Sequence, residues 1–332
     1  MRVLITGATG FLGSHLVEAF AQHGATLAAV VRPTSDTHRL QALGVRLHTA
    51  TLDQPDLLSE AMHDTDAVVH AAAKVHTHGG WPEFRTATID GTRHVLNAAI
   101  AARVPHFLDI SSVGVYGQPR PDGQPYTETS TPGRIDRWNY YSRAKTEAEH
   151  LVQHAQQTGA IATTIFRPTW VYGPRDLSTI GRILVALRAR RLKLIGPGTN
   201  TLSLIYVTDV ARAVVTAAAN PQSRGQIFNV SADELGTTQR EFFQHLCRLM
   251  ALPEPTQHIS YSLAHRLAFL SECIAHATRF RICPPLTRLT VLLLGGQRQY
   301  SSEKLRRVLG WQPTINITDG LRLTADSFRT PQ

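Results

Sequence analysis

Tyr141 and Lys145 stand four residues apart in Tyr140-Tyr141-Ser142-Arg143-Ala144-Lys145, at the start of a stretch with helical patterning through Glu147, Ala148 and Leu151. That spacing puts both side chains on one helix face. An ammonium held beside a phenol favours the phenolate and draws its pKa down from about 10, so the tyrosine can trade a proton with a hydroxyl or carbonyl. Tyr140, five residues before the lysine, points away around the helix and suits packing or a substrate contact instead. Upstream, an apolar run from His106 to Ile110 ends in Ser111-Ser112-Val113-Gly114, which sets hydroxyls at the carboxyl edge of a strand, where one of them can polarise a reacting oxygen.

A second chemical unit opens the chain. Val3-Leu4-Ile5-Thr6-Gly7-Ala8-Thr9-Gly10-Phe11-Leu12-Gly13 spaces three glycines between a short apolar strand and a helix. Gly7 permits a tight turn, Gly10 a close approach of backbone to a pyrophosphate, and Gly13 close packing of helix on strand. This reads as a nicotinamide dinucleotide site. The end of the next strand, Val30-Val31-Arg32-Pro33-Thr34-Ser35, carries no acid to accept from an adenosine 2'-hydroxyl. Arg32, with Ser35 and Arg39 as further donors, favours the 2'-phosphate of NADP, although NAD stays open because Asp36 is adjacent and Arg32 also reads as a surface residue.

These residues need a scaffold. Apolar runs at Arg2 to Thr6, Thr26 to Val31, Val45 to Thr49, Ala67 to Ala71, His106 to Ile110 and Ile161 to Phe166 alternate with helix-length stretches such as Phe11 to His23 and Ile89 to Ala102. That rhythm predicts an α/β fold, a doubly wound parallel (Rossmann) sheet. The expected division is a dinucleotide-binding region at 1–172, rejoined by 204–230, and a smaller interleaved substrate lobe from 173–203 and 231–332. Such a lobe would sit over the carboxyl ends of the strands.

Composition narrows the class. The 332 residues are 42% hydrophobic, enough for a large core, and no apolar run approaches the roughly 18 to 20 residues that cross a bilayer. Three widely spaced cysteines, Cys247, Cys273 and Cys283, suit reduced structural thiols, and a cytoplasmic location is expected. Much of the net charge of +9 lies in the last quarter, where it could attract nucleic acid, an anionic membrane face or an acidic substrate, or simply solubilise the surface, which is the expected reading because the aromatic-rich basic patch of an RNA binder is missing. No nucleic-acid partner is expected. His76 and His78, near His63 and His70, lack accompanying cysteines or carboxylates, so no metal site is expected and His76 is placed at the substrate entrance.

Across nearly its whole length the chain resembles the extended short-chain dehydrogenase/reductase superfamily, the NAD-dependent epimerase/dehydratase family. The resemblance rests on the glycine turn, Tyr141 and Lys145, Val68-Val69-His70-Ala71-Ala72-Ala73, Asp90-Gly91-Thr92, Phe166-Arg167-Pro168, Val171-Tyr172-Gly173-Pro174 and Ile205-Tyr206-Val207-Thr208-Asp209-Val210. It implies Tyr141 as acid/base, Ser112 as the polarising hydroxyl, and Lys145 also holding the nicotinamide ribose. Cofactor contacts expected on this reading are Gly7, Thr9, Gly10, Phe11, Leu12, Gly13, Arg32, Ala71, Ala72, Ala73 and Pro168 together with Tyr141 and Lys145; substrate contacts are His76, Val113, Tyr172 and Arg175. Two positions depart from the pattern: Thr88 stands where an Asn is usual, and Ala50-Thr51-Leu52 where Gly-Asp-Leu is usual.

Within the superfamily, Leu202-Ser203-Leu204-Ile205 lacks the arginine that clamps a sugar-nucleotide diphosphate, and Val113-Gly114 lacks the dehydratases' Asp-Glu pair. The pattern lies nearest the 3β-hydroxysteroid dehydrogenase-like branch. Hydride transfer between a secondary alcohol and a hydrophobic or β-keto ketone is therefore the expected reaction. A nucleotide-sugar epimerase with tightly bound NAD and a noncatalytic NADP-binding regulator are the alternatives. The apolar tail, Leu263 to Ala275 and Val291 to Leu294, reads as a substrate lid, a membrane-surface contact with Arg279, Arg281 and Arg288 on its polar side, or ordinary core and dimer packing. A homodimer through Thr86 to Arg103 and Asn139 to Gln157 is implied by the resemblance alone.

Overall fold

A computed structural model describes residues 1–329 apart from 76–78, 121 and 233–236. Its strands are β1 (Arg2–Thr6), β2 (Thr26–Val31), β3 (Arg46–Thr49), β4 (Ala67–His70), β5 (Phe107–Ile110), β6 (Thr163–Pro168), β7 (Trp170–Tyr172), β8 (Leu194–Ile195), β9 (Leu204–Tyr206), β10 (Gln226–Val230) and β11 (His258–Ile259). Seven of them form one sheet in the order β10-β6-β5-β4-β1-β2-β3, with every neighbouring pair parallel. The order runs outward in both directions from β1, so the crevice between β1 and β4 lies where the winding reverses.

Alternation along the strands builds two cores. Val3, Ile5, Val69 and Phe166 pack on one face against Leu16 and Phe20 of the Phe11–Gln22 helix and Val210 and Val214 of the Val207–Ala219 helix. Leu4, Val68, Phe107 and Ile165 point the other way, onto Val95 and Leu96 of the Gly91–Ala101 helix and Val152 of the Tyr140–Gln157 helix. Burial of both faces explains why these strands read as unbroken apolar runs. A third core, around Leu184, Leu187, Phe242, Phe243 and Leu321, joins the Ile180–Arg188, Gln239–Met250 and Ile317–Arg329 helices.

The strand at Leu204–Tyr206 lies off the main sheet. It pairs in parallel with β7, while β10 takes the sheet edge beside β6 in the register Gln226↔Thr164 to Val230↔Pro168. Thr169 marks the divergence, its amide bonding the Val230 carbonyl at 3.0 Å before the chain turns away as β7. The Asp209 carboxylate, fully buried, accepts from the amides of Thr314 (3.0 Å) and Ile315 (3.1 Å), and the Trp311 indole donates to the Asp209 carbonyl at 3.1 Å. Asp209 therefore ties the C-terminal segment to the helix that covers the sheet.

Before the Gly91–Ala101 helix, Arg85–Asp90 forms a π-helical turn. In it Thr88 accepts from the Lys74 amide at 3.1 Å, so the residue that departs from the usual Asn still fixes the segment following β4. Among the described residues no helix is long and apolar enough to cross a membrane.

Candidate active site

At the carboxyl end of β5, Ser112 adopts an extended conformation and caps the short 3-10 turn Val113–Tyr116, its Oγ accepting from the Gly114 amide at 3.1 Å. Opposite it, Asn139 caps the Tyr140–Gln157 helix by accepting from the Ser142 amide at 3.1 Å, which fixes the first turn carrying Tyr141. The Tyr141 phenol and the Ser112 hydroxyl share a hydrogen bond. Gly114 makes room for this: a Cβ there would lie 2.9 Å from Ser142 Oγ, 3.4 Å from Ser112 Oγ and 3.6 Å from Tyr141 Cε1. Tyr140 turns away, ringed by Trp81, Phe84 and His276.

Burial controls the charges here. It raises the Tyr141 phenol above its usual 10, against the pull of the Ser112 hydrogen bond, and it lowers the Lys145 ammonium while Asp109 and Glu149 pull that ammonium the other way. Lys145 Nζ donates to the Ile110 carbonyl at 2.6 Å, and the lowering of Tyr141 expected from this lysine is absent from the protein alone. Beneath them, burial pushes Asp109 up to about 7. His70, its ring bonded to Thr6 at 2.7 Å and Thr92 at 3.0 Å, is held down to about 3 by burial and the Lys145 charge. Glu149 and Arg167 form a buried ion pair at Nε–Oε2 3.1 Å, and Arg167 also donates to Tyr116 at 2.8 Å.

The glycine turn fits a dinucleotide. Gly7 has φ +72, and a Cβ on it would meet the Ala72 amide nitrogen at 2.7 Å; one on Gly13 would strike the Gly7 carbonyl at 1.9 Å. Gly10 caps the following helix with no side chain over its free amides, leaving the positive end of the dipole for an anion. Arg32 is exposed beside this crevice with no side-chain partner among the described residues, and the buried Ser35 hydroxyl next to it is likewise unpaired. Arg39, expected as a further phosphate donor, instead meets Glu18 at 3.0 Å, and Asp36 is spent on the His38 amide at 3.0 Å.

A cavity of 1770 Å³ joins these parts. Its walls include Gly7, Thr9, Gly10, Phe11, Leu12, Gly13, Arg32, Ala71, Ala72, Ala73, Ser112, Val113, Tyr141, Lys145 and Pro168, with Thr51, Leu52 and Asp53 at the outer end. It continues between the Ile180–Arg188, Tyr261–Ala277 and Arg288–Gly295 helices as an apolar arm lined by Leu184, Ile195, Leu267, Leu286, Leu289 and Leu292. At its rim Leu177 is 65% and Val185 65% exposed. Leu263, Leu267, Leu270 and Ile274 extend the greasy rim as one exposed stripe along their helix.

Two sequence expectations need correction. Tyr172 is 2% exposed and faces the third core, its ring 5.5 Å from that of Tyr206, because the β7–β9 pairing sets both tyrosines on the same side. Arg175 lies off the cavity wall, at φ +71, and its guanidinium reaches Glu18 at 2.9 Å; the adjacent Asp176 caps the Ile180–Arg188 helix through the amides of Thr179 and Ile180. His76 falls outside the described residues.

A profile of the NAD dependent epimerase/dehydratase family matches residues 3–231. The chain belongs to this family. Over 97% of its length it is 29% identical to a 4-hydroxy-2-methyl-3-oxo-4-farnesyl-3,4-dihydroquinoline-1-oxide ketoreductase of Stigmatella aurantiaca, covering 95% of that protein. It is also 29% identical to a 2-alkyl-3-oxoalkanoate reductase of Stenotrophomonas maltophilia, over 97% of this chain and 98% of the other. The fold matches that of a UDP-glucuronic acid 4-epimerase from Bacillus cereus in complex with NAD, with a TM-score of 0.78, 22% identity and 99% of both chains covered. This family member is an extended short-chain dehydrogenase/reductase, an NAD(P)-dependent oxidoreductase acting at a carbon–oxygen centre.

The far wall of the cavity is not announced by any motif. Arg188, Arg191 and Lys193 of one basic run line it together with Trp170, Thr201 and Arg298, and these four segments share no motif, so only tertiary packing gathers them.

Proposed function

We propose that this chain is an NADP-dependent reductase that interconverts a hydrophobic ketone and its secondary alcohol. The observation that carries the proposal is the continuity of one cavity from the glycine turn, past Ser112 and Tyr141, into an arm lined by leucines. On this reading residues 1–172 with 204–230 hold the cofactor and the remaining segments hold the substrate. Arg32 and Ser35, unpaired at the crevice, supply donors for a 2'-phosphate.

The turn at Gly7, Gly10 and Gly13 would hold NADPH, which when bound would supply the hydride to the carbonyl carbon. Ser112 donates a hydrogen bond to the carbonyl oxygen, and Tyr141 delivers its phenolic proton to that oxygen as negative charge gathers there. The raised pKa of Tyr141 keeps the phenol protonated and ready as an acid. Lys145, one helical turn away, then faces the phenolate and favours it until a solvent proton restores the phenol.

Titration of purified protein with NADPH and NADH, followed by turnover of long-chain and steroid ketones by wild type and Tyr141→Phe, tests the reading. NADPH preference with Tyr141-dependent ketone reduction supports it. One observation favours a second reading, a nucleotide-sugar epimerase: Arg188, Arg191 and Lys193 give the cavity wall the cations that the Leu202 to Ile205 segment lacks. Tightly held NAD and turnover of UDP-sugars alone would decide for that alternative.

A further inference from the structure

The rim of the apolar arm is built from two segments that carry almost no acid. Between Leu177 and Lys193 stand Arg182, Arg188, Arg190, Arg191 and Lys193, all exposed, with no carboxylate. Between Tyr261 and Arg288 stand Arg266, Arg279, Arg281 and Arg288 with a single carboxylate, Glu272. That carboxylate is spent on Arg288, whose Nε reaches it at 2.7 Å. Arg182 donates to the Pro284 carbonyl at 3.3 Å and so holds the two segments together. The rim therefore presents positive charge that no carboxylate within these segments offsets.

The same rim is apolar. On the Tyr261–Ala277 helix Ala264, Ala268 and Ala275 are buried, while Leu263, Leu267, Leu270 and Ile274, spaced by four, three and four residues, form one exposed stripe on a neighbouring face. Arg266 precedes Leu267 on this helix, and the turn that closes it adds Arg279, Arg281 and Ile282, all exposed. Across the cavity mouth Leu177 and Val185 are exposed in the same way. Leu267, Val185 and Leu293 are at once exposed and part of the cavity wall, so the leucine-lined arm opens through this rim. An apolar stripe flanked by cations is the pattern of a helix lying in a membrane interface, and no described helix is long and apolar enough to span the bilayer instead.

Resting on the reductase reading only for what passes through the mouth, we propose that this rim docks the protein on an anionic bilayer, with Leu263, Leu267, Leu270 and Ile274 entering the lipid and the arginines meeting headgroup phosphates. A second copy of the chain fits the face less well. A two-fold contact sets the rim against itself and places cations opposite cations, with Glu272 already engaged. Nucleic acid satisfies the charge and leaves the apolar stripe in water. A bilayer meets both at once. Docked in this way, the leucine-lined arm opens toward the acyl chains, and a ketone dissolved in the membrane enters it without crossing water.

Flotation of the purified chain with liposomes reads docking without requiring turnover. Wild type is expected to bind vesicles of phosphatidylcholine with about 30% phosphatidylglycerol about tenfold or more tightly than phosphatidylcholine alone, and raising the salt from about 50 to about 500 mM should erase much of that preference. Leu270 and Ile274, 56% and 54% exposed and off the cavity wall, can be changed without opening the core. Leu270→Glu combined with Ile274→Glu should weaken binding to the anionic vesicles about 10- to 100-fold while NADPH affinity, which reports the fold, stays as in wild type. Arg279→Glu combined with Arg281→Glu should lower the preference for anionic lipid about tenfold. Failure of wild type to bind the anionic vesicles overturns the proposal. So does vesicle binding that the Leu270→Glu, Ile274→Glu variant retains in full, which makes the contact one of charge alone. A dimer in solution that this variant dissolves, with vesicles left unbound by wild type, overturns it in favour of a second copy. If flotation behaves as expected while no ketone is turned over, the docking stands and the reductase reading falls.

Discussion

Ser112 and Tyr141 hydrogen-bond each other across the bare α-carbon of Gly114, joining the end of β5 to the first turn of the Tyr140–Gln157 helix. On the proposed reading, the two groups that act on one oxygen are thus set before any substrate arrives. Removing the Tyr141 hydroxyl as Phe keeps the ring and its packing but deletes the proton. The expected outcome is a loss of about 10²- to 10⁴-fold in kcat for ketone reduction, with a far smaller change in NADPH affinity. Gly114→Ala places a methyl group 2.9 Å from Ser142 Oγ and should cost less, through misplacement alone.

On the proposed NADP reading, Arg32 is a cofactor contact and Arg39 is not. Arg32 lines the crevice with no side-chain partner among the described residues, whereas Arg39 is engaged by Glu18 at 3.0 Å. Arg32→Ala is expected to weaken NADPH about tenfold or more and leave NADH nearly unaffected, since only the former carries a 2'-phosphate. Arg39→Ala should leave the ratio of the two dissociation constants unchanged. Fluorescence titration of both variants reads the difference, and loss of NADH binding in Arg32→Ala would point to a general packing role.

Three buried histidines make the fold sensitive to acid. Burial holds His15 and His106 down to about 4 and His70 to about 3, from an ordinary 6.5. Each binds a proton on unfolding before it can do so in the native state. Their contribution is complete above pH 6.5 and is lost as pH falls toward 3 to 4. Between pH 6 and 4.5 the stability measured by urea unfolding should fall by up to about 4 kcal/mol per pH unit, the slope of three protons. His106→Asn, which removes the ring bonded to Thr164 at 2.8 Å, should flatten that dependence by one proton. A profile with no slope in wild type would refute the assignment.

Much of the scaffold was legible because each strand of the sheet is buried on both faces, so Val3 to Ile5 and Val68 to Val69 announce themselves as apolar runs. The glycine turn and the Tyr141/Lys145 spacing are local patterns, and local patterns survive in sequence. Tyr172 was misplaced since the face a three-residue strand presents is set by its partner, and β9 arrives 32 residues later, Trp170 pairing Leu204 and Tyr172 pairing Tyr206. Arg175 was expected at the substrate for a related reason: the acid that holds it, Glu18, comes from the first helix of the chain and leaves no local signal. Arg298 carried no signal in a basic tail until packing brought it to one wall with Trp170 and Thr201.

The leucine-lined arm gives the last expectation. Leu289 lies on the Arg288–Gly295 helix, lines the cavity and is half-buried, so its side chain can be replaced without opening the core. Leu289→Glu sets a carboxylate where an alkyl chain would lie, and the chain would have to strip water from that charge to stay in place. For a ketone long enough to reach the arm, KM should rise about 10- to 100-fold with kcat little changed, the pattern of lost uniform binding. A short ketone that ends near Tyr141 should be reduced as by wild type. Equal damage to long and short substrates would mean that the arm does not hold the chain and that the cavity beyond Tyr141 serves another ligand.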